Sequence, residues 1–360
     1  MKTKINRDIR RLARPNILKL KPYQSARQKA CGKDLIFLDA NENPFPGGYN
    51  RYPDPFQREL KMAIGKWKKI STNQIFLGNG SDEIIDLLIR TFCTPGKDEV
   101  IIPVPTYGMY EVCAQINDVR VIRVELDKSF QINTQRILKQ GRQAKMIFIC
   151  SPNNPTGNLI RKDLIYEILD HFRGIVVIDE AYIDFANDQG FISEIENYPN
   201  LVVLQTFSKA MGMAGIRLGM GFMQTDMVQL LNKIKYPYNI SILNQNAALK
   251  AIEDRKNSLK VSGILRLKEK LIDDLQNLNS VNKIWPSDAN FLLVKFKDHE
   301  EIDDFLKNEG IIIRNRSKEP NCEGCLRITV GNSVETESII QKLKQFEQSK
   351  TNNYEKDIIS

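Results

Sequence analysis

Two stretches of this chain, Met146-Ile147-Phe148-Ile149 and Ile175-Val176-Val177-Ile178, are apolar at every successive residue. Side chains alternate between the two faces of a β-strand, so such a stretch forms a strand only where both faces are buried. The two stretches therefore predict a parallel sheet covered by helices on each side. Strand candidates at 74–77, 99–102, 119–124, 145–150, 175–179 and 201–207 alternate with helical patterns. One helix candidate, 82–92, carries Ile84, Ile85, Leu88, Ile89 and Phe92 at helical spacing, and another covers 159–172. Past Pro237 the pattern changes to a helical stretch over about 244–278, a strand at 291–296, a helix at 300–308, strands near 311–314 and 325–330, and a final helix from Ser333. The expectation is an α/β chain with a mostly parallel sheet in a large domain (46–275) and a smaller α+β domain (276–350). Residues 1–45 are expected to form an arm and part of the small domain, and 351–360 a frayed tail.

Bulk properties narrow the function classes. No stretch approaches the roughly 18 apolar residues that span a bilayer, and no apolar segment follows the start, so neither a membrane span nor a secretory signal is expected. The six cysteines are scattered through 360 residues, which suits free thiols in a reducing cytoplasm. Cys322 and Cys325 form a lone C-x-x-C, and with only His171 and His299 elsewhere the four soft ligands of a zinc site are lacking. The scarcity of histidine also argues against Ser-His or His-metal catalysis. Much of the formal charge of +8 sits in Lys2, Lys4, Arg7, Arg10, Arg11, Arg14, Lys19 and Lys21, against the single acid Asp8. Such an arm can bind polyanions, but it reads here as solvated or packed on a partner subunit, with no nucleic acid and no membrane as partner.

In an open α/β sheet, ligands bind beyond the carboxyl ends of the strands. Four strand candidates end in polar clusters: Gly78-Asn79-Gly80-Ser81-Asp82-Glu83, Ser151-Pro152-Asn153-Asn154-Pro155-Thr156-Gly157, Asp179-Glu180-Ala181-Tyr182, and Thr206-Phe207-Ser208-Lys209 followed by Gly212, Gly215 and Arg217. Singly, each has a bland account as a turn, a helix cap or a surface charge. Together they match the needs of pyridoxal 5′-phosphate (PLP), an electron sink that works best with its ring nitrogen protonated and faced by a carboxylate. Asp179 is the candidate carboxylate. Lys209, in a loop of small residues, is the candidate amine for the imine and for the proton shuttle. Asn154 and Tyr182 are suitable donors to the ring 3-oxygen. The Gly80-Ser81-Asp82 turn, with Thr206, Ser208 and Arg217, is the candidate phosphate site.

These residues resemble the fold-type-I aminotransferases. Asn154-Pro155-Thr156-Gly157, Asp179-x-x-Tyr182, and Ser208-Lys209 with Arg217 eight residues on match that superfamily's cofactor pattern, and the similarity runs from about Lys21 to Leu343. Within it the chain is similar to the histidinol-phosphate aminotransferases. The segments that carry this are Pro22-Tyr23-Gln24-Ser25-Ala26-Arg27, Leu38-Asp39-Ala40-Asn41-Glu42-Asn43-Pro44 and Arg51-Tyr52-Pro53-Asp54-Pro55. Further along they are Pro105-Thr106-Tyr107-Gly108-Met109-Tyr110, Pro237-Tyr238-Asn239 and Cys325-Leu326-Arg327-Ile328-Thr329-Val330-Gly331.

The resemblance implies that Tyr107 stacks on the PLP ring and that Tyr52 reaches the neighbouring subunit's PLP phosphate, which requires a homodimer. It implies Arg327 on the substrate carboxylate, Arg314 on a substrate phosphate, and Asn41, Asn154 and Tyr23 as further substrate contacts, Tyr23 from the same or the partner chain. Arg316 lies two residues beyond Arg314 on the same strand face and is an alternative anion ligand. The implied activity is transamination between L-histidinol phosphate and 2-oxoglutarate, giving imidazole acetol phosphate and L-glutamate, a step of histidine biosynthesis. An aromatic amino acid aminotransferase or a threonine-phosphate decarboxylase-like PLP enzyme is the alternative. A PLP-binding regulator carries an appended DNA-binding domain, and the arm before Pro22 is too short for a helix-turn-helix.

Overall fold

The computed structural model describes residues 8–23, 35–45, 47–254 and 257–359. Lys2, Lys4, Arg7, Cys31 and residues 24–27 of the arm segment lie outside the described residues. The first helices, α1 (Pro15–Lys19) and α2 (Arg58–Lys68), precede the main sheet. That sheet contains β1 (Ile75–Asn79), β2 (Glu99–Val104), β3 (Arg120–Glu125), β4 (Met146–Cys150), β5 (Ile175–Asp179), β6 (Leu201–Thr206) and β7 (Leu218–Met223). Helices α3 (Ser81–Phe92), α4 (Met109–Ile116), α5 (Thr134–Gln140) and α6 (Lys162–His171) alternate with the strands, and α7 (Thr225–Ile234) and α8 (Ile242–Glu253) follow.

The strands lie in the order β1-β7-β6-β5-β4-β2-β3. Only β7 runs against its neighbours. As their unbroken apolar runs require, β4 and β5 are buried at every residue. Their alternate side chains feed two layers: Ile147, Ile149, Val176 and Ile178 enter one core, and Met146, Phe148, Ile175 and Val177 the other. The apolar stripe of α3, including Ile84, Ile85, Leu88, Ile89 and Phe92, is buried as its spacing predicts.

A second sheet contains β8 (Val281–Ile284), β9 (Phe291–Phe296), β10 (Arg314–Asn315) and β11 (Cys325–Thr329), in the order β10-β11-β9-β8 and antiparallel throughout. With it come α9 (Asn257–Gln276), α10 (His299–Asn308) and α11 (Ser333–Ile359).

Several expectations change. The stretch expected as one helix over 244–278 is two helices, α8 and α9. The expected domain boundary at 275 falls inside α9, because Leu271 and Leu275 pack in the small-sheet core. The strand near 311–314 shrinks to Arg314–Asn315, since Ile311 and Ile313 turn onto that core instead. Residues 351–359 continue α11 where a frayed tail was expected, and no Gly or Pro among them stops the helix. β7 was not foreseen, because Gly219 and Gly221 weaken its strand signal. Among the described residues no helix is long and apolar enough to cross a membrane.

Phe148 is 1% exposed and stacks on Tyr110 with ring centres 4.9 Å apart. Phe148→Ala is expected to lower the unfolding free energy by about 3–5 kcal/mol, read as a shifted denaturation midpoint with an unchanged slope.

Candidate active site

The carboxyl ends of β4, β5 and β6 open toward the start of α3, and the polar clusters gather there. Asp179 closes β5 at 3% exposure. Its Oδ2 accepts a hydrogen bond from Tyr110 Oη at 2.7 Å, and its Oδ1 accepts from the Ala181 amide at 3.0 Å. Burial pushes this carboxyl up to about 6, and the Tyr110 and Ala181 bonds hold it from rising further. Among the described residues no cationic side chain lies in ion-pair distance of it. A protonated pyridine nitrogen is the partner such a carboxylate accepts. Tyr110 was missed as a functional residue. It lies in the first turn of α4, where a tyrosine among apolar residues reads as core.

Lys209 follows β6, and its Nζ lies 5.5 Å from the centre of the Tyr182 ring. Burial, then the charge of Arg327 and more weakly that of Arg217, lower the Lys209 pKa against the pull of Asp179 and Asp82. A larger share of the amine is then neutral and nucleophilic. Asn154 Nδ2 donates to Tyr182 Oη at 3.4 Å, while Asn154 Oδ1 accepts from Arg327 Nη1. The second bond ties the loop after β4 to the small sheet.

The candidate phosphate cup depends on two glycines. Gly80 caps α3 with a φ of 77°, and its amide donates to the Arg217 carbonyl at 2.8 Å. A Cβ on Gly80 would stand 2.6 Å from Arg217 Nη2, and one on Gly219 of β7 would stand 2.3 Å from the Ser81 nitrogen. Only glycine lets the helix start settle so close to the strand. No side chain caps α3, so the amides of its first turn at Ser81 and Asp82 are available to an anion. Thr206 Oγ1 accepts from the Ser208 amide at 3.0 Å, which fixes the turn that leads into Lys209. Arg217 Nη2 lies 3.4 Å from Asp82 Oδ2, and Tyr107 Oη donates to Asp82 Oδ1 at 3.1 Å. Tyr107 meets Tyr110 edge-on, with ring centres 5.5 Å apart. An uncapped helix end, a guanidinium and two hydroxyls beside a buried carboxyl and a lysine fit PLP.

The third wall is made of arginines. Arg327 of β11 pairs across the ladder with Arg314 of β10, so both project from one face of the small sheet, and Arg316 follows just past β10, near enough for its charge to act on Arg327. Arg314 is exposed, whereas Arg316 is half-buried with Nη1 3.4 Å from Glu319 Oε1. The Nε atoms of Arg316 and Arg327 are both buried without a hydrogen-bond partner among the described residues. Burial, then Arg316, then Arg314 depress the pKa of Arg327. The other expected residues stand apart. Asn41 and Tyr52 line a separate cavity of about 470 Å³, where Tyr52 stacks on Tyr238 at 4.4 Å. Tyr23 is exposed beside Lys233, Lys235 and Pro237. Cys322 and Cys325 are buried free thiols at the hairpin that leads into β11.

The fold and this cleft define a class, and the family model for aminotransferase class I and II matches residues 38–343. The chain is 50% identical to the histidinol-phosphate aminotransferase of Cytophaga hutchinsonii over 341 residues, covering 93% of this chain and 98% of that protein. The crystal structure of the histidinol-phosphate aminotransferase from Clostridium acetobutylicum superimposes with a TM-score of 0.77 at 27% identity, covering 83% of this chain and 91% of that one. A Sinorhizobium meliloti histidinol-phosphate aminotransferase solved with pyridoxal 5′-phosphate gives a TM-score of 0.75 at 22% identity, covering 83% of each chain. The chain belongs to the class I and II aminotransferases and, within them, to the histidinol-phosphate aminotransferase family. PLP is its cofactor and small molecules are its substrates.

Beneath the site, Glu180 is 1% exposed and accepts from Gln205 Nε2 at 2.8 Å and the Phe191 amide at 2.6 Å. Burial pushes its carboxyl up to about 7. A carboxyl raised in the folded state stabilises the protein below its unfolded pKa, near 4, and that contribution is lost as pH climbs through 7. The melting temperature of the wild type relative to Glu180→Gln should therefore fall between pH 5 and pH 8. A constant difference across that range would contradict the assignment.

Proposed function

We propose that this chain transaminates between L-histidinol phosphate and 2-oxoglutarate, giving imidazole acetol phosphate and L-glutamate, in histidine biosynthesis. The observation that carries this reading is the arginine face. Arg314 and Arg327 are directly opposed across a ladder, where like charges repel, and the buried Nε atoms of Arg316 and Arg327 lack partners among the described residues. Such an arrangement is stabilised by an anionic ligand. Both substrates of the reaction bring anions to it: two carboxylates in one half-reaction, a phosphate monoester in the other. Guanidinium forks hold either kind in two-point fashion.

PLP, when bound, supplies a sink for the electron pair left at the substrate's reacting carbon. Asp179 keeps the proton on the ring nitrogen, and Asn154 and Tyr182 donate toward the ring 3-oxygen. Tyr107 covers the ring face. The amides of Ser81 and Asp82 after Gly80, with Thr206, Ser208 and Arg217, hold the phosphate. Lys209 Nζ would hold the cofactor, and its free amine would carry the substrate's α-proton. Its depressed pKa suits that exchange, since a neutral amine must act as base near neutral pH. Arg327 grips the carboxylate or phosphate nearest Asn154, and Arg314 and Arg316 together meet the second anion. Asn41, Tyr52 and Tyr23 are assigned to contacts that cross between two chains of a homodimer, because within one chain Asn41 and Tyr52 face another cavity. The reaction is assigned to the cytoplasm, where free thiols such as Cys322 and Cys325 stay reduced.

Lys209→Ala is expected to abolish turnover and the visible absorbance of lysine-bound cofactor, while the variant still folds. Arg327→Gln removes a buried charge-assisted contact, a loss of roughly 2–5 kcal/mol, so kcat/KM should fall about thirtyfold to several thousandfold for both substrates. Following the cofactor spectrum with histidinol phosphate, glutamate and phenylalanine in turn tests the substrate reading, and a faster conversion by phenylalanine than by histidinol phosphate would overturn it. Sedimentation equilibrium should return a particle of two chains.

A further inference from the structure

Away from the catalytic cleft, a cavity of about 460 Å³ lies between α2, the 3-10 turn Thr72–Gln74 and the start of α7. Its lining includes Arg58, Lys61, Thr72, Asn73, Thr225 and Gln229. None of the residues assigned to the reaction lines it.

Lys61 is the unusual member. It sits on the inward side of α2 at 7% exposure, beside the fully buried Leu60 and Ile64. Long lysines usually thread their ammonium to water, so a lysine buried this deeply normally meets a carboxylate. Among the described residues none lies in ion-pair distance. The acid whose charge it feels, Asp54, is taken by Arg58, whose Nη1 stands 3.0 Å from Asp54 Oδ1 and whose amide donates to Asp54 Oδ2 at 2.7 Å. Burial, with Lys235 nearby, brings the Lys61 ammonium down to about 8, so it stays mostly charged at neutral pH. A desolvated ammonium without a counter-ion is costly, and a bound anion removes that cost.

Other features of the cavity agree in sign. Arg58 lies one turn before Lys61 on the same face of α2 and also lines the cavity. The ten-residue helix α7 opens onto it at Thr225 without a side-chain cap, which presents amides and the positive end of the helix dipole. The carboxylate of that first turn, Asp226, is met by Arg10 at 3.3 Å. Thr72, Asn73 and Gln229 add neutral donors. The volume admits a group larger than a single water.

We propose that this cavity is a second anion site that takes a phosphate group, either free inorganic phosphate or the phosphate of a small monoester, on Lys61 and Arg58. The site is independent of the reaction assigned above, so its failure would leave that assignment untouched.

The test is calorimetric titration of the PLP-loaded protein with inorganic phosphate and, separately, with glycerol phosphate. The wild type should show a binding event that survives Arg327→Gln, which disables the catalytic anion wall. In Lys61→Gln that event should weaken at least tenfold, while the glutamate half-reaction keeps its wild-type rate. Arg58→Gln should weaken it several-fold, and serves if Lys61→Gln does not fold. Tighter binding of glycerol phosphate than of inorganic phosphate would assign the site to monoesters, and equal or weaker binding would assign it to the free ion. An isotherm unchanged by Lys61→Gln and Arg58→Gln overturns the proposal, as does phosphate binding that disappears entirely in Arg327→Gln.

Discussion

A carboxyl group closed inside a parallel sheet is expensive, and Asp179 shows how the rest of this molecule is arranged around that cost. Desolvation alone would keep the group protonated and inert. The Tyr110 hydroxyl and the Ala181 amide move it back toward the charged form, and the ring nitrogen proposed to face it would complete the balance. Tyr110 can do this because α4 presents it inward and Phe148 of β4 lies flat against it. Lys209 feels the same field with opposite sign: Asp179 favours its ammonium, while burial and the guanidinium groups favour the free amine. The buried carboxyl and the amine proposed for the chemistry are thus tuned by one set of charges, and moving either strand would disturb both.

What the amino-acid pattern disclosed follows from physics that acts locally. Unbroken apolar runs announced β4 and β5, since only two-sided burial tolerates them. The stripe of α3 was readable for the same reason, and the polar clusters at strand ends pointed to one cleft because parallel strands share their carboxyl edge. The structure brings Asn154, Asp179, Tyr182, Lys209, Arg217 and Arg327 to that cleft. Where the reading failed, distant parts of the chain decide the outcome. Gly219 and Gly221 look like strand breakers, yet β7 needs them because the start of α3 lies against them. The α9 helix serves two cores, with Ile264 against both the small-sheet core and the Tyr182 cluster, so no local signal marks a boundary there. Tyr110 gave no sign of its polar task, since a tyrosine in an apolar helix reads as core. The contact between chains expected of Tyr52 came from the family resemblance alone, since no pattern within one chain encodes it.

The small sheet illustrates a tension between holding together and holding a ligand. Leu326 and Ile328 of β11 face its core, whereas Arg327 between them faces the cleft. Opposing Arg314 to Arg327 weakens the β10–β11 ladder, and β10 is only two residues long. Apolar burial behind the hairpin must carry what the ladder does not. Asn154 offers Arg327 a neutral oxygen in place of a counter-ion, so the groove is set in position without being filled.

The glycines of β7 have a consequence for how such a chain can diversify. At Gly219 that strand has no spare volume, and an added carbon would push the helix start away from the strand. New chemistry on the substrate cannot easily arise by remodelling that part of the strand. The hairpin of β10 and β11 is anchored in the main-sheet core by Cys322 and Cys325, but its Arg314–Asn315 edge is exposed and can change charge without touching that core. An engineer seeking a different acceptor would leave the glycine strand alone and build on the arginine hairpin, where the molecule has kept its freedom.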